Sequence, residues 1–177
     1  MTNHFLKEDI ASISNMNINI EKLQNKTVLV TGATGLIGSM VCKTLSEISC
    51  VNNWNISIVA MVRNIKKAEA TFSDVSGNGN ILFLEQDVIT TIAWDGDVDY
   101  IIHTACPTAS NTFISQPVDT IGAIVTGTMN VMELARKKQC KSVVYLSSME
   151  AYGQVLHENL LKPEDVGYIN PLSLRSC

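Results

Sequence analysis

The sequence predicts an α/β fold, an open parallel sheet with helices on both faces, and three observations carry that prediction. Short apolar, β-branched runs recur at residues 27–31 (TVLVT), 56–62 (ISIVAMV), 81–84 (ILFL), 99–103 (DYIIH) and 142–146 (SVVYL), as strands buried on both faces should. Most of these runs are separated by stretches of helical character at about residues 36–48, 66–72 and 117–138, an alternation that builds parallel strands with right-handed crossovers. A glycine-rich turn stands between the first strand and the first helix.

In the long segment 117–138, Val118, Ile121, Val125, Met129, Met132 and Leu134 recur near a 3.6-residue period and so mark a helix. After residue 146 the chain, with Pro163 and Pro171, reads as loop. The sheet is therefore expected to be truncated after about its fifth strand. Residues 1–25 are polar and Asn-rich, with Phe5, Ile10 and Ile13 loosely at helical spacing. They read as a short helix and linker ahead of a single domain over 26–177.

Bulk properties narrow the partners. The chain has 177 residues, of which 46% are hydrophobic, enough for one well-filled core. The net charge of −4 and the absence of a basic stripe argue against nucleic acid. No apolar run is long enough for a bilayer, and the opening MTNHFLKEDIASI lacks the pattern of a signal peptide, so a cytoplasmic location without a membrane partner is expected. The five cysteines include no pair at CxxC spacing, and Cys42, Cys106 and Cys140 read as reduced, small core residues. No metal site is read.

The turn Thr31-Gly32-Ala33-Thr34-Gly35-Leu36-Ile37-Gly38 carries the strongest chemical signal. Gly32 permits the tight turn, Gly35 lets the backbone approach a pyrophosphate, and Gly38 lets helix and strand pack closely. The helix start over Leu36, Ile37 and Gly38 offers N–H groups and a positive dipole end to phosphates. This is a Rossmann-type doubly wound arrangement that takes a dinucleotide.

The glycine spacing is GxxGxxG, and in this it resembles the extended branch of the short-chain dehydrogenase/reductase superfamily, the NAD-dependent epimerase/dehydratase family. The resemblance runs from about Lys26 to the last residue. It implies NAD(P) as cofactor. At the end of the second strand, where an acid would hold the ribose hydroxyls, the chain reads Met61-Val62-Arg63-Asn64. Arg63 suits a 2′-phosphate or stacks on adenine; the departure favours NADP and leaves the choice between NAD and NADP open. The resemblance further implies that Asp87 and Val88 receive the adenine amino group. The segment His103-Thr104-Ala105-Cys106-Pro107 matches the family's H-x-A-[AGS] element, in which the backbone of Thr104, Ala105 and Cys106 faces the dinucleotide. His103 itself, ending a buried strand, reads as a packed, hydrogen-bonded residue. The family's N-x-x-G-T pattern appears with Ile124 in place of asparagine, followed by Gly127 and Thr128.

The segment Leu146-Ser147-Ser148-Met149-Glu150-Ala151-Tyr152-Gly153 resembles the S-[ST]-x-E-x-Y-G element. By that resemblance Ser147 lies at the cofactor, Ser148 is the catalytic Ser/Thr that bonds the sugar's C4 oxygen, and Glu150 matches a glutamate of 4,6-dehydratases and UDP-glucuronate decarboxylases. Met149 stands where dehydratases carry the aspartic acid that expels the 6-hydroxyl, so a standard 4,6-dehydratase is disfavoured. The tail resembles the decarboxylase-like stretch that precedes Tyr-x-x-x-Lys, but four residues after Tyr100, Tyr145, Tyr152 and Tyr168 stand Thr104, Met149, Leu156 and Leu172.

The family chemistry implied is oxidation at the C4 of a nucleotide-diphosphate sugar, followed by epimerisation, dehydration or decarboxylation, in a homodimer. For this chain, without the Tyr/Lys pair and the sugar-binding lobe, the expectation is an N-terminal portion inactive by itself. A non-catalytic NAD(P)-binding module or sensor, or a degraded product without activity, are the alternatives.

Overall fold

The structure is a computed structural model that describes residues 4–14, 16, 19–75, 79–153, 160, 162–165, 167–170 and 172, without the side chains of 4–7, 14, 110, 149 and 150. In chain order its elements are α1 (His4–Ser14), β1 (Thr27–Thr31), α2 (Leu36–Val51), β2 (Ser57–Val62), α3 (Ile65–Phe72), β3 (Ile81–Glu85), β4 (Tyr100–His103), α4 (Ser110–Ser115), α5 (Pro117–Lys138) and β5 (Ser142–Tyr145). Single 3-10 turns lie at Ile20–Leu23 and Met149–Tyr152.

The strands form one parallel sheet in the order β3-β2-β1-β4-β5. Period-two alternation along the inner strands divides two cores. Val28 and Val30 of β1, with Ile58, Ala60 and Val62 of β2, face α2 and α3 through Cys42, Leu45, Ile48, Ala68 and Phe72. Leu29, Val59, Met61 and Ile101 point the other way, onto Val131, Leu134 and Ala135 of α5. A strand buried on both faces has no polar side to show, which is why the inner runs are apolar throughout. The order reverses between β1 and β4, and in such sheets ligands bind at the carboxyl ends of the strands that flank this switch point.

Three features differ from the reading of the sequence or were not legible in it. First, the stripe that identifies α5 as a helix is, apart from Leu134, not the face it buries. Val118, Ile121, Val125, Met129 and Met132 are all exposed, whereas Thr120, Gly127, Val131, Leu134 and Ala135 pack inward. The helix has two apolar faces, and its sheet-facing one mixes Val131 and Leu134 with small residues: a Cβ at Gly127 would stand 2.9 Å from Val88 Cγ2. Second, Cys106 is exposed and is not a core residue; it lies in the loop after β4, while Cys42 is buried and Cys140 half-buried. Third, α1 does not float free of the domain, because Ile10 is buried and Ile13 packs on the α2 side of the sheet.

The opposite end of the sheet is stapled. Asp99 accepts the Thr27 amide at 3.0 Å and pairs with Lys26 and Lys141 at 3.4 and 3.0 Å. This ties the entrances of β1, β4 and β5 together and holds the Asp99 carboxyl below its usual range despite partial burial.

Candidate functional site

The site is assembled where β1 and β4 end. Gly32 follows Thr31 with φ +64°, a left-handed conformation that a side chain rarely adopts. It also has no room for one, since a Cβ there would lie 2.8 Å from the Ala105 amide nitrogen and 2.9 Å from Thr104 Oγ1. Gly38 is equally confined: its Cβ would meet Gly32 O at 2.5 Å and Thr104 Oγ1 at 2.9 Å. Gly35 is different. It is extended (φ −76°) and caps α2, and a Cβ would meet only the Gly32 carbonyl, at 3.1 Å. Two glycines thus close the turn against the β4 loop, and the third leaves open space beside the helix start.

That space faces the positive end of α2. The Gly35 amide donates to Gly32 O at 2.8 Å, and the first helical bond is Ser39 N–H to Gly35 O at 2.9 Å. The amides of Leu36, Ile37 and Gly38 precede it and so are not used by the helix. No side chain caps this terminus and no acidic residue stands in its first turn, so neither offsets the helix dipole there. A cradle free of side chains, lined by amides and void of acid, fits a pyrophosphate. Thr34 lies within this turn, and the Leu36 and Ile37 side chains are exposed.

Thr31 and the β4 loop are held by a continuous set of hydrogen bonds that sequence reasoning missed. The Thr104 hydroxyl donates to Thr31 O at 2.7 Å, and the Thr104 and Ala105 amides both donate to Thr31 Oγ1 at 3.2 Å. Thr31 Oγ1 also lies 2.7 Å from His103 Nδ1. On the other side of that ring, Nε2 lies 3.3 Å from Thr128 Oγ1, which donates to Ile124 O at 2.6 Å. His103 is buried, and burial holds its pKa below the ordinary histidine value. The ring is thus the packed, hydrogen-bonded histidine that its position at the end of a buried strand predicts.

The second wing of the site lies beyond β2 and β3. Arg63 is 81% exposed at the end of β2, and its Nη1 stands 3.9 Å from Asp87 Oδ2. Asp87 Oδ1 accepts the Ile89 amide at 3.2 Å, which shapes the loop after β3. Val88 is buried against Gly127, and Asn130 Nδ2 donates to Val88 O at 2.8 Å. The signal for this clamp was in the sequence: Gly127, Asn130, Val131 and Leu134 recur at helical spacing on the inward face of α5.

The third wing follows β5, which stays bonded to β4 through Leu146 N–H to His103 O at 3.1 Å. Ser147 and Ser148 are exposed beyond it. The Ala151 amide donates to Ser148 O at 3.0 Å, the first bond of the turn Met149–Tyr152. The backbone of Glu150 lies in that turn, and its side chain is outside the described residues. The turn is braced from behind by Gly167 N–H to Tyr152 O at 2.8 Å. The structure therefore brings the glycine turn, the 104–106 loop and the 147–150 segment to one rim of the sheet, with Arg63 and Asp87 at the other end of that rim.

Known proteins resemble this chain in sequence and in fold. The model of the NAD dependent epimerase/dehydratase family matches residues 28–173. UDP-glucuronic acid decarboxylase 3 of Arabidopsis thaliana is 28% identical over 156 residues, and the match covers 86% of this chain and 42% of that protein. UDP-glucuronic acid decarboxylase 1 of Danio rerio is 26% identical over 165 residues, covering 89% and 35%. A Bacillus cereus UDP-glucuronic acid 4-epimerase, solved with NAD and a fluorinated UDP-glucuronic acid, superposes with a TM-score of 0.67 at 19% identity, over 85% of this chain and 48% of that one. The chain spans less than half the length of these relatives.

Proposed function

The chain belongs to the NAD dependent epimerase/dehydratase family, and from this we propose that it is the dinucleotide-binding portion of a nucleotide-sugar epimerase or decarboxylase that works through oxidation at the sugar's C4. The observation that carries the reading is the open amide-lined cradle at the sheet's switch point. Gly32, Thr34, Gly35, Leu36, Ile37 and Gly38 would hold the pyrophosphate. Thr104, Ala105, Cys106 and Ser147 would line the dinucleotide's path, with Asp87 and Val88 at its adenine end. When bound, the nicotinamide supplies a hydride acceptor.

The chain's own groups do the rest of what this portion can do. The Ser148 hydroxyl, exposed past β5, would bond the C4 oxygen and orient it. Glu150 would move a proton on the sugar ring in a subsequent step. Met149 has no proton to give, which weighs against loss of a 6-hydroxyl and so favours decarboxylation or epimerisation over dehydration. The substrate would be a nucleotide-diphosphate sugar, and the working form a homodimer. A binding module without turnover is the alternative, favoured by Ile124 in place of the family's asparagine. Since these 177 residues contain no Tyr-x-x-x-Lys, the polypeptide alone should form no 4-keto sugar from UDP- or dTDP-sugars. Its formation by this polypeptide, abolished in Ser148→Ala, would overturn that expectation.

Cofactor choice follows from Arg63. An exposed guanidinium whose carboxylate partner among the described residues is 3.9 Å away can take a 2′-phosphate by bidentate hydrogen bonds. NADP should bind at least as tightly as NAD, and Arg63→Ala should weaken NADP by about tenfold while leaving NAD little changed, the loss of roughly one charge-assisted bond. Paired calorimetric titrations check this. A clear preference for NAD that persists in Arg63→Ala would refute it.

A further inference from the structure

One arrangement of protons satisfies every hydrogen bond around His103. Thr128 gives its hydroxyl proton to Ile124 O at 2.6 Å, so toward His103 its oxygen can only accept, and Nε2 must carry the ring proton. The ring is neutral when buried, so Nδ1 is bare and takes the proton of Thr31 Oγ1 at 2.7 Å. Thr31 Oγ1 then has two lone pairs left, and two amides use them, Thr104 and Ala105. These amides belong to the segment against which Gly32 is pressed. From α5 to the phosphate turn the bonds form a single directional series, and each donor fixes the next.

We propose that His103 is a positioning residue that, as its Nε2–H tautomer, locks the Thr104–Ala105 backbone against the phosphate turn in its dinucleotide-binding arrangement, and that proton uptake on Nδ1 releases it. The proposal rests on the dinucleotide reading of the glycine turn. Its chemistry is a matter of counting. A protonated ring would donate from both nitrogens, and Thr31 Oγ1 would then face three donors with two lone pairs. One amide must let go. The groups around the ring do not offset that charge: β1 presents Thr31, α5 presents Thr128, and β5 presents Tyr145, whose ring centroid is 5.5 Å away and which is the titratable neighbour. Among the described residues no carboxylate pairs with the imidazole. Burial lowers the pKa in the same direction. The sign is therefore fixed. The competent state is the neutral one, complete above the ordinary histidine pKa of about 6.5 and lost as pH falls through the lower folded value.

The test is calorimetric titration of NAD and NADP into the 177-residue chain across pH, with nitrogen-15 spectra of the histidine rings as a second arm. The wild type should bind with constant affinity at neutral pH and lose up to about tenfold per pH unit on the acid side. Thr128→Val should weaken binding several-fold at neutral pH, and Thr128→Ser should restore it. In a Thr31→Val background, Thr128→Val should have little further effect, because the series is already broken. The spectra should show a protonated Nε2 and a bare Nδ1. Additive losses from Thr31→Val and Thr128→Val, or an affinity indifferent to acid, would overturn the proposal, as would a ring protonated on Nδ1 at neutral pH. If the wild type binds neither dinucleotide at neutral pH, the reading of the glycine turn fails instead, and the ring spectra still decide the tautomer.

Discussion

Gly35→Leu should abolish dinucleotide binding while leaving the protein folded. The Cβ of this residue would meet only the Gly32 carbonyl, at 3.1 Å, and the backbone is already extended, so the turn need give by no more than a few tenths of an ångström. The rest of the leucine side chain, however, would fill the space before the α2 amides, and the phosphates would lose their place. Losing two charge-assisted bonds of roughly 1.5–2 kcal/mol each corresponds to about a hundredfold or more in affinity. Gly38→Leu is the contrast. Its Cβ would stand 2.5 Å from Gly32 O, so here the fold itself should suffer. Calorimetry and thermal melts on both variants separate the two roles. Unchanged affinity for both NAD and NADP in Gly35→Leu would show that the cradle is not the site.

The 177-residue polypeptide should self-associate. The α5 stripe Val118, Ile121, Val125, Met129 and Met132 faces solvent, and on the edge strand β5 Val144 and Tyr145 are about half exposed. Val143 is not part of this surface, because it packs against the α5 side of the core. Each large apolar side chain left wet forgoes up to about 1.5–3 kcal/mol of burial, against a typical total stability of roughly 5–15 kcal/mol. An apolar stripe beside an open strand edge favours a second copy or a covering segment. Sedimentation should show dimers or larger species that bind a hydrophobic dye, and the pair Val125→Lys and Met129→Lys should disperse them. A sharply melting, strictly monomeric wild type without dye binding would refute this.

The parts of the fold legible in the sequence were those set by periodicity and by glycine. The inner strands were readable because burial on two faces leaves a run with no polar alternation, and β1 and α5 match their expected limits residue for residue. Helix α4 (Ser110–Ser115) was not readable. Its six residues, SNTFIS, have neither a capping side-chain bond nor a full apolar period. Nor did periodicity say which side of α5 faces the sheet, because small residues such as Gly127 carry close packing without carrying hydrophobicity. The candidate site was readable as short stretches of sequence and not as a network. Thr31 and Thr128 are unremarkable threonines along the chain, and only the 72-residue separation closed between Thr31 and His103 shows what they share.

The strand order has a consequence for how the site comes into being. The first three strands are added outward from β1, each beside the last, and a ribosome could deliver them with local pairing alone. The cradle cannot be finished from them. Its second wall, Thr104 and Ala105, arrives only when β4 returns to the free side of β1, after some 70 residues of intervening chain. Long closures of this kind are formed late, because their entropy must be spent before the contacts repay it. Competence to bind would thus be a marker that β4 has closed onto β1 in this nascent sheet, and a dinucleotide present at a hundred times its dissociation constant would hold that step closed by about 2.7 kcal/mol.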